Sequence, residues 1–108
     1  NDILQGREPA ELEENLVALI ARARERELDV LLAGVSAPDN LGARVQAYAA
    51  AFASAADATG APFLSDMLAP LAVDRGYFQP DGIHPTADGA ELMADPIARF
   101  IDAALPRD

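Results

Sequence analysis

Cysteine and lysine are both absent from this sequence, and histidine occurs once. Without cysteine there is no disulfide framework, no thiolate metal site and no thiol nucleophile, and the redox compartment is left unread. The positive charge rests on arginine alone, eight residues against 18 acidic ones for a net charge of −10. No basic stripe of the kind that nucleic acid requires is available, so nucleic acid is excluded as a partner. The same acidity repels anionic membrane surfaces at long range, although an apolar groove can still take an acyl chain locally. No run reaches the roughly 18 apolar residues of a membrane span, so no membrane-spanning segment is expected. The opening residues, Asn1 to Gly6, have neither the basic nor the apolar region of a signal peptide. An initiator Met is missing too, and the start at Asn1 suggests a fragment, a processed chain or a chain that begins midway through a longer protein.

What is present is a 108-residue chain, half of it hydrophobic, with the length of one small domain. Residues 8–27 read as an amphipathic helix. Pro9 suits its first turn, Glu11, Glu13 and Glu14 favour its positive end, and Arg22, Arg24 and Arg26 its negative end. Leu12, Leu16, Leu19, Ile20 and Ala23 fall on one face. The apolar run from Val30 to Gly34 lacks alternation and fits a strand buried on both faces of a parallel sheet. A loop composition follows from Ser36 to Gly42, at the strand edge where open α/β sheets bind ligands. A second helix is expected from Ala43 to Thr59, with Val45, Tyr48, Ala49, Phe52 and Ala56 inward and Gly60 as its stop. Pro62 to Ser65 is a shorter strand candidate, and residues 66–80 read as irregular. The last helix runs from Ala87 to Ala104, with Leu92, Met93, Ile97, Phe100 and Ile101 inward and a kink or break at Pro96.

This order is that of a three-layer α/β/α fold. Two strands make a poor parallel sheet, because both edges stay open and the helices cover too little. More strands must come from elsewhere, so the N-terminal half of a domain is expected to be missing from the chain.

The chemistry centres on Asp81-Gly82-Ile83-His84-Pro85. Gly82 permits a tight turn and Pro85 keeps His84 out of helical angles, so the Asp81 carboxylate can come against the imidazole. A carboxylate so placed fixes the tautomer and stabilises the imidazolium, leaving the other ring nitrogen to take a proton from a hydroxyl. Thr86 can cap the helix that follows. The plainer alternative is a surface or capping histidine beside a proline. A metal site is disfavoured, since zinc wants more histidine or cysteine than the chain has.

The same segment resembles the last block of the SGNH/GDSL hydrolases, Asp-x-x-His-Pro, and Asn1-Asp2 resembles the end of their Gly-x-Asn-Asp block. Leu31-Leu32-Ala33-Gly34 followed by Ala37-Pro38-Asp39-Asn40-Leu41-Gly42 is similar to the bacterial arylesterases, lysophospholipases and acyl-thioesterases, and the resemblance runs over nearly the whole chain. It implies a flavodoxin-like α/β/α fold of which residues 1–108 supply the C-terminal half, and a serine hydrolase acting on small esters or thioesters without a cofactor. His84 would be the general base and then the general acid, Asp81 its orienting carboxylate, and Asn1 an oxyanion donor. Members of this branch are often periplasmic or secreted. The Gly-Asp-Ser-Leu block with the nucleophile and the glycine block of the oxyanion hole have no match. Ser36, Ser54 and Ser65 are the only serines, none in a nucleophile setting, so the nucleophile is expected from the missing N-terminal segment. Two other functions fit the sequence: a non-catalytic α/β binding module, which no fluorophosphonate would label, and a carbohydrate O-acetylesterase, away from which the Ala37-to-Asn40 loop leans.

Overall fold

The computed structural model describes residues 1–36 and 42–105. The first helix, α1, spans Pro9–Arg24 with Glu8 at its N-cap. It stops short of the expected residue 27 because Glu27 turns left-handed at φ 59°. The amide of Leu28 then reaches back to the Ala23 carbonyl and that of Glu27 to Arg24, which closes the helix end as a Schellman motif does. Leu12 and Ile20 are buried and Leu16 and Ala23 partly so, but Leu19 is 65% exposed, a correction to the expected inner face.

Strand β1 is only Leu32–Ala33, and β2 only Phe63–Leu64. They pair in parallel, Leu32 opposite Phe63 and Ala33 opposite Leu64. Gly34 continues the contact by donating to the Leu64 carbonyl at 2.8 Å and accepting from the Met67 amide at 3.0 Å. The strands are shorter than expected because each has a single partner in this two-stranded sheet. The connecting helix α2, Ala43–Thr59, ends at left-handed Gly60 as expected. The loop reading for residues 37–41 lies outside the described residues.

Helices α1 and α2 run in the same direction. Arg44 in the first turn of α2 bonds to Glu8 at the start of α1, and Arg24 at the end of α1 donates to the Thr59 carbonyl at the end of α2. Between these two ends lies the core. Leu12, Tyr48 and Ala51 pack with Leu16 and Phe52, and Leu32, Ala55 and Ala56 pack with Leu16, Val17, Phe52 and Phe63. Ala51 and Ala55, not expected inside, are buried because small side chains let the helices and sheet approach. Since α2 leaves the carboxyl end of β1, the starts of both helices stand at the carboxyl edge of the sheet.

Residues 66–80 are not wholly irregular. They hold two 3-10 turns, Ala69–Val73 and Arg75–Tyr77, and Leu71 in the first is completely buried. Helix α3, Ala87–Ala104, packs on these turns and does not divide at Pro96. One missing backbone donor is tolerated within 18 helical residues. Its expected inner face is open: Leu92 is 39% and Ile101 38% exposed, and Met93, Ile97 and Phe100 are half-buried.

The accessible surface, 7413 Å², exceeds by about 1,600 Å² that of a compact monomer of this mass. The radius of gyration, 14.8 Å, likewise exceeds the ~13 Å of a compact domain of this length. No described helix is long and apolar enough to cross a membrane.

Candidate active site

The histidine segment is built from the backbone outward. Asp74 accepts from the Gly76 amide at 2.7 Å and caps the second 3-10 turn. Its last residue, Tyr77, accepts the Thr86 amide at 2.9 Å, and Phe78 forms an isolated antiparallel bridge with Pro85. The Gln79 amide donates to the His84 carbonyl, and the Gly82 amide to the Gln79 carbonyl, both at 2.8 Å. Gln79 also donates through Nε2 to the Pro85 carbonyl at 2.9 Å. The chain between Tyr77 and Thr86 is thus a closed hairpin with Pro80 to Ile83 at its tip. Gly82 sits there at φ 71°, a conformation that costs other residues strain.

Within that hairpin the Asp81 carboxylate is fully engaged. Oδ1 accepts the amides of Ile83 at 2.9 Å and His84 at 3.0 Å, an Asx turn, while Oδ2 lies 2.6 Å from His84 Nδ1. The His84 contact, then the two amides, stabilise the ionised carboxylate and lower its pKa to about 2. Asp81 therefore stays an anion at any pH near neutrality, and an anion at Nδ1 holds the imidazole with its proton on that nitrogen. Nε2 meets no hydrogen-bonding partner among the described residues, and the His84 side chain is 55% exposed. The pair can take a proton at Nε2 from a group arriving from solvent.

Thr86 caps α3 as expected, its Oγ1 accepting from the Gly89 amide at 3.2 Å. The same hydroxyl donates to the Tyr77 carbonyl at 3.3 Å. Gly89 is the only buried residue among those described in α3, pressed against that carbonyl and Pro85. Neither Gly89 nor Gln79 was singled out from the sequence. A glycine in the first turn of a helix, just after its cap, was the available signal for a close approach.

Asn1 stands in the turn that precedes α1. It opens a hydrogen-bonded turn in which its carbonyl accepts the Gln5 amide at 3.0 Å, Ile3 accepts from Gly6 at 3.1 Å and Asp2 from Arg7 at 3.1 Å. Among the described residues no hydrogen bond joins Asn1 to Asp81 or His84. Ser36 is exposed beyond β1, Ser65 is exposed beyond β2, and Ser54 is half-buried within α2. None of the three hydrogen-bonds to His84.

With this geometry in view, residues 1–92 match the GDSL-like lipase/acylhydrolase family model. The chain is 34% identical over 86 residues to esterase TesA of Pseudomonas aeruginosa, covering 79% of this chain and 43% of that protein. It is 27% identical over 109 residues to thioesterase 1/protease 1/lysophospholipase L1 of Escherichia coli, covering 100% and 52%. The chain thus spans about half the length of the curated relatives it matches. Among solved structures, that of TesA superposes with a TM-score of 0.82 at 30% identity, over 97% of this chain and 59% of the other. That of AlinE4, an SGNH-hydrolase family esterase, gives 0.66 at 32% identity, over 99% and 57%. A parallel β-α-β core, a histidine hairpin after it and these matches together make the chain a member of the GDSL-like lipase/acylhydrolase family, with the α/β fold of the SGNH hydrolases.

Proposed function

We propose that this chain is the C-terminal portion of a serine esterase or thioesterase domain and supplies its acid–base pair. The 2.6 Å contact between Asp81 Oδ2 and His84 Nδ1 carries the proposal, because it leaves Nε2 as the one nitrogen open to a nucleophile. Family membership and the names of the relatives, an esterase and a thioesterase/lysophospholipase, support the substrate class.

In this mechanism a serine hydroxyl from outside the chain gives its proton to His84 Nε2 as its oxygen attacks the ester or thioester carbonyl. Asp81 stabilises the imidazolium so formed, and the Asn1 side-chain amide donates to the oxyanion of the tetrahedral intermediate. His84 then returns the proton to the departing alcohol or thiol, leaving an acyl-serine. Water, deprotonated by the same nitrogen, hydrolyses it. General acid–base catalysis of this kind contributes about 10²–10⁴-fold. That the serine comes from elsewhere is supported by the absence, among the described residues, of a hydrogen bond from Ser36, Ser54 or Ser65 to His84, by the open face of α3, and by about 1,600 Å² of surface beyond that of a compact monomer. An excess of that size on one chain is about twice the ~800 Å² that each partner gives to a standard protein–protein interface, as expected of part of a domain core left open.

The test compares the isolated chain with the chain joined to its upstream sequence on a short p-nitrophenyl ester. Turnover is expected only from the joined form and is lost in His84→Ala. Turnover by the isolated chain, abolished both by His84→Ala and by replacing one of its own serines, overturns the proposal.

A further inference from the structure

Arg44, in the first turn of α2, makes four hydrogen bonds to residues 6–8. Its Nη2 donates to the Gly6 carbonyl at 3.2 Å, the Arg7 carbonyl at 3.1 Å and Glu8 Oε1 at 3.2 Å, and its Nη1 to Glu8 Oε2 at 3.5 Å. The guanidinium carbon stands 5.8 Å from the centroid of the Tyr48 ring. Tyr48 is 1% exposed and belongs to the core cluster with Leu12 and Ala51. One face of the guanidinium thus lies over a buried ring, while its edge grips the backbone just before α1. The Glu8 carboxylate, by hydrogen bond and then by charge, raises the Arg44 pKa further, so the grip stays charged.

The gripped backbone is the far end of the turn that begins at Asn1. Three backbone hydrogen bonds, from the Gln5 amide to the Asn1 carbonyl, Gly6 to Ile3 and Arg7 to Asp2, tie residues 1–3 to residues 5–7. A displacement at Gly6 and Arg7 is therefore passed to Asn1. We infer that Arg44 is a positioning residue for the oxyanion donor, holding the Asn1 turn at a fixed place on α2. The inference rests on the role proposed above for Asn1. An exposed ion pair alone would be worth little, but here a planar fork bonds two backbone carbonyls and a carboxylate together. A lysine ammonium, a point charge without that fork, cannot reproduce this.

The test uses the intact protein with Asn1→Ala, Arg44→Ala, Arg44→Lys, Arg44→Gln and the Asn1→Ala/Arg44→Ala double variant. Each is assayed on p-nitrophenyl butyrate per fluorophosphonate-labelled site, and backbone amide exchange is followed at Gln5, Gly6 and Arg7. Asn1→Ala is expected to lower kcat about 100-fold. Arg44→Ala should lower kcat about 10-fold with little change in KM, and Arg44→Lys should not rescue it. The double variant should be no slower than Asn1→Ala, and the three amides should exchange faster in each Arg44 variant while those of α2 keep their rates. Losses that multiply in the double variant, an unchanged kcat in Arg44→Ala, or unchanged exchange overturn the inference. If Arg44→Ala fails to fold, Arg44→Gln and Arg44→Lys carry the same readouts. An unchanged kcat in Asn1→Ala overturns the oxyanion role itself, and the exchange rates then still report whether Arg44 holds the turn.

Discussion

Gly89 lies so close to Tyr77 that a Cβ placed on it would fall well inside van der Waals contact with the Tyr77 carbonyl oxygen, and 3.3 Å from Pro85 Cβ. That carbonyl also accepts the Thr86 amide and hydroxyl, so one oxygen joins the base of the histidine hairpin to the first turn of α3. Gly89→Ala must push it aside. Overpacking of this kind costs about 1–3 kcal/mol. The expected outcome is a lower Tm in the isolated chain and lower kcat in the intact protein, because the His84 backbone loses its anchor. An unchanged Tm would mean that the helix slides without cost.

Asp81→Asn separates the two tasks of this carboxylate. The amide oxygen can keep the bonds to the Ile83 and His84 amides, but the amide nitrogen would face Nδ1 and favour the wrong tautomer. In the intact protein kcat should fall by about 10³–10⁴-fold, with a small change in Tm. Asp81→Ala should lose both activity and stability, since the Asx turn goes too. Comparing the melting curves of the two variants checks the division.

The lowered Asp81 pKa predicts an acid dependence. In the unfolded chain this carboxyl titrates at its ordinary value of 3.8, but in the folded chain at about 2. Between those values the unfolded state binds more protons, so the stability due to this group is full above the unfolded value and is lost as pH falls through about 2. Denaturant titrations of wild type and Asp81→Asn should differ at neutral pH and converge as pH approaches that lower value. Curves that stay parallel down to it would show that Asp81 is not the titrating group.

Glu27 offers a change away from the site. Its φ of 59° is the left-handed conformation that favours glycine, so Glu27→Gly should stabilise the chain by about 0.5–1 kcal/mol. Tm should rise and activity in the intact protein should not change. A fall in Tm would show that the added backbone entropy of glycine outweighs the relieved strain.

The sequence by itself determined whatever depends on neighbours a few residues apart. Thr86 as a cap, Gly60 as a stop, the bounds of α2 and α3, and Asp81 against His84 were all legible, because turns and caps are closed by bonds between residues two to four positions apart. Family membership came from the same blocks. Where burial had to be read from periodicity, the result was mixed. Leu12 and Ile20 are inside, but Leu19, Leu92 and Ile101 are not, since a helical face is buried only where another element covers it. Only the tertiary structure decided the contacts between residues farther apart in sequence: Gly89 on Tyr77, and Arg44 on the turn of Asn1. Chain spacing carries no signal for such pairs. Arg44 reaches the Asn1 turn because α1 and α2 start side by side, and Gly89 meets Tyr77 because the first turn of α3 packs on the base of the histidine hairpin.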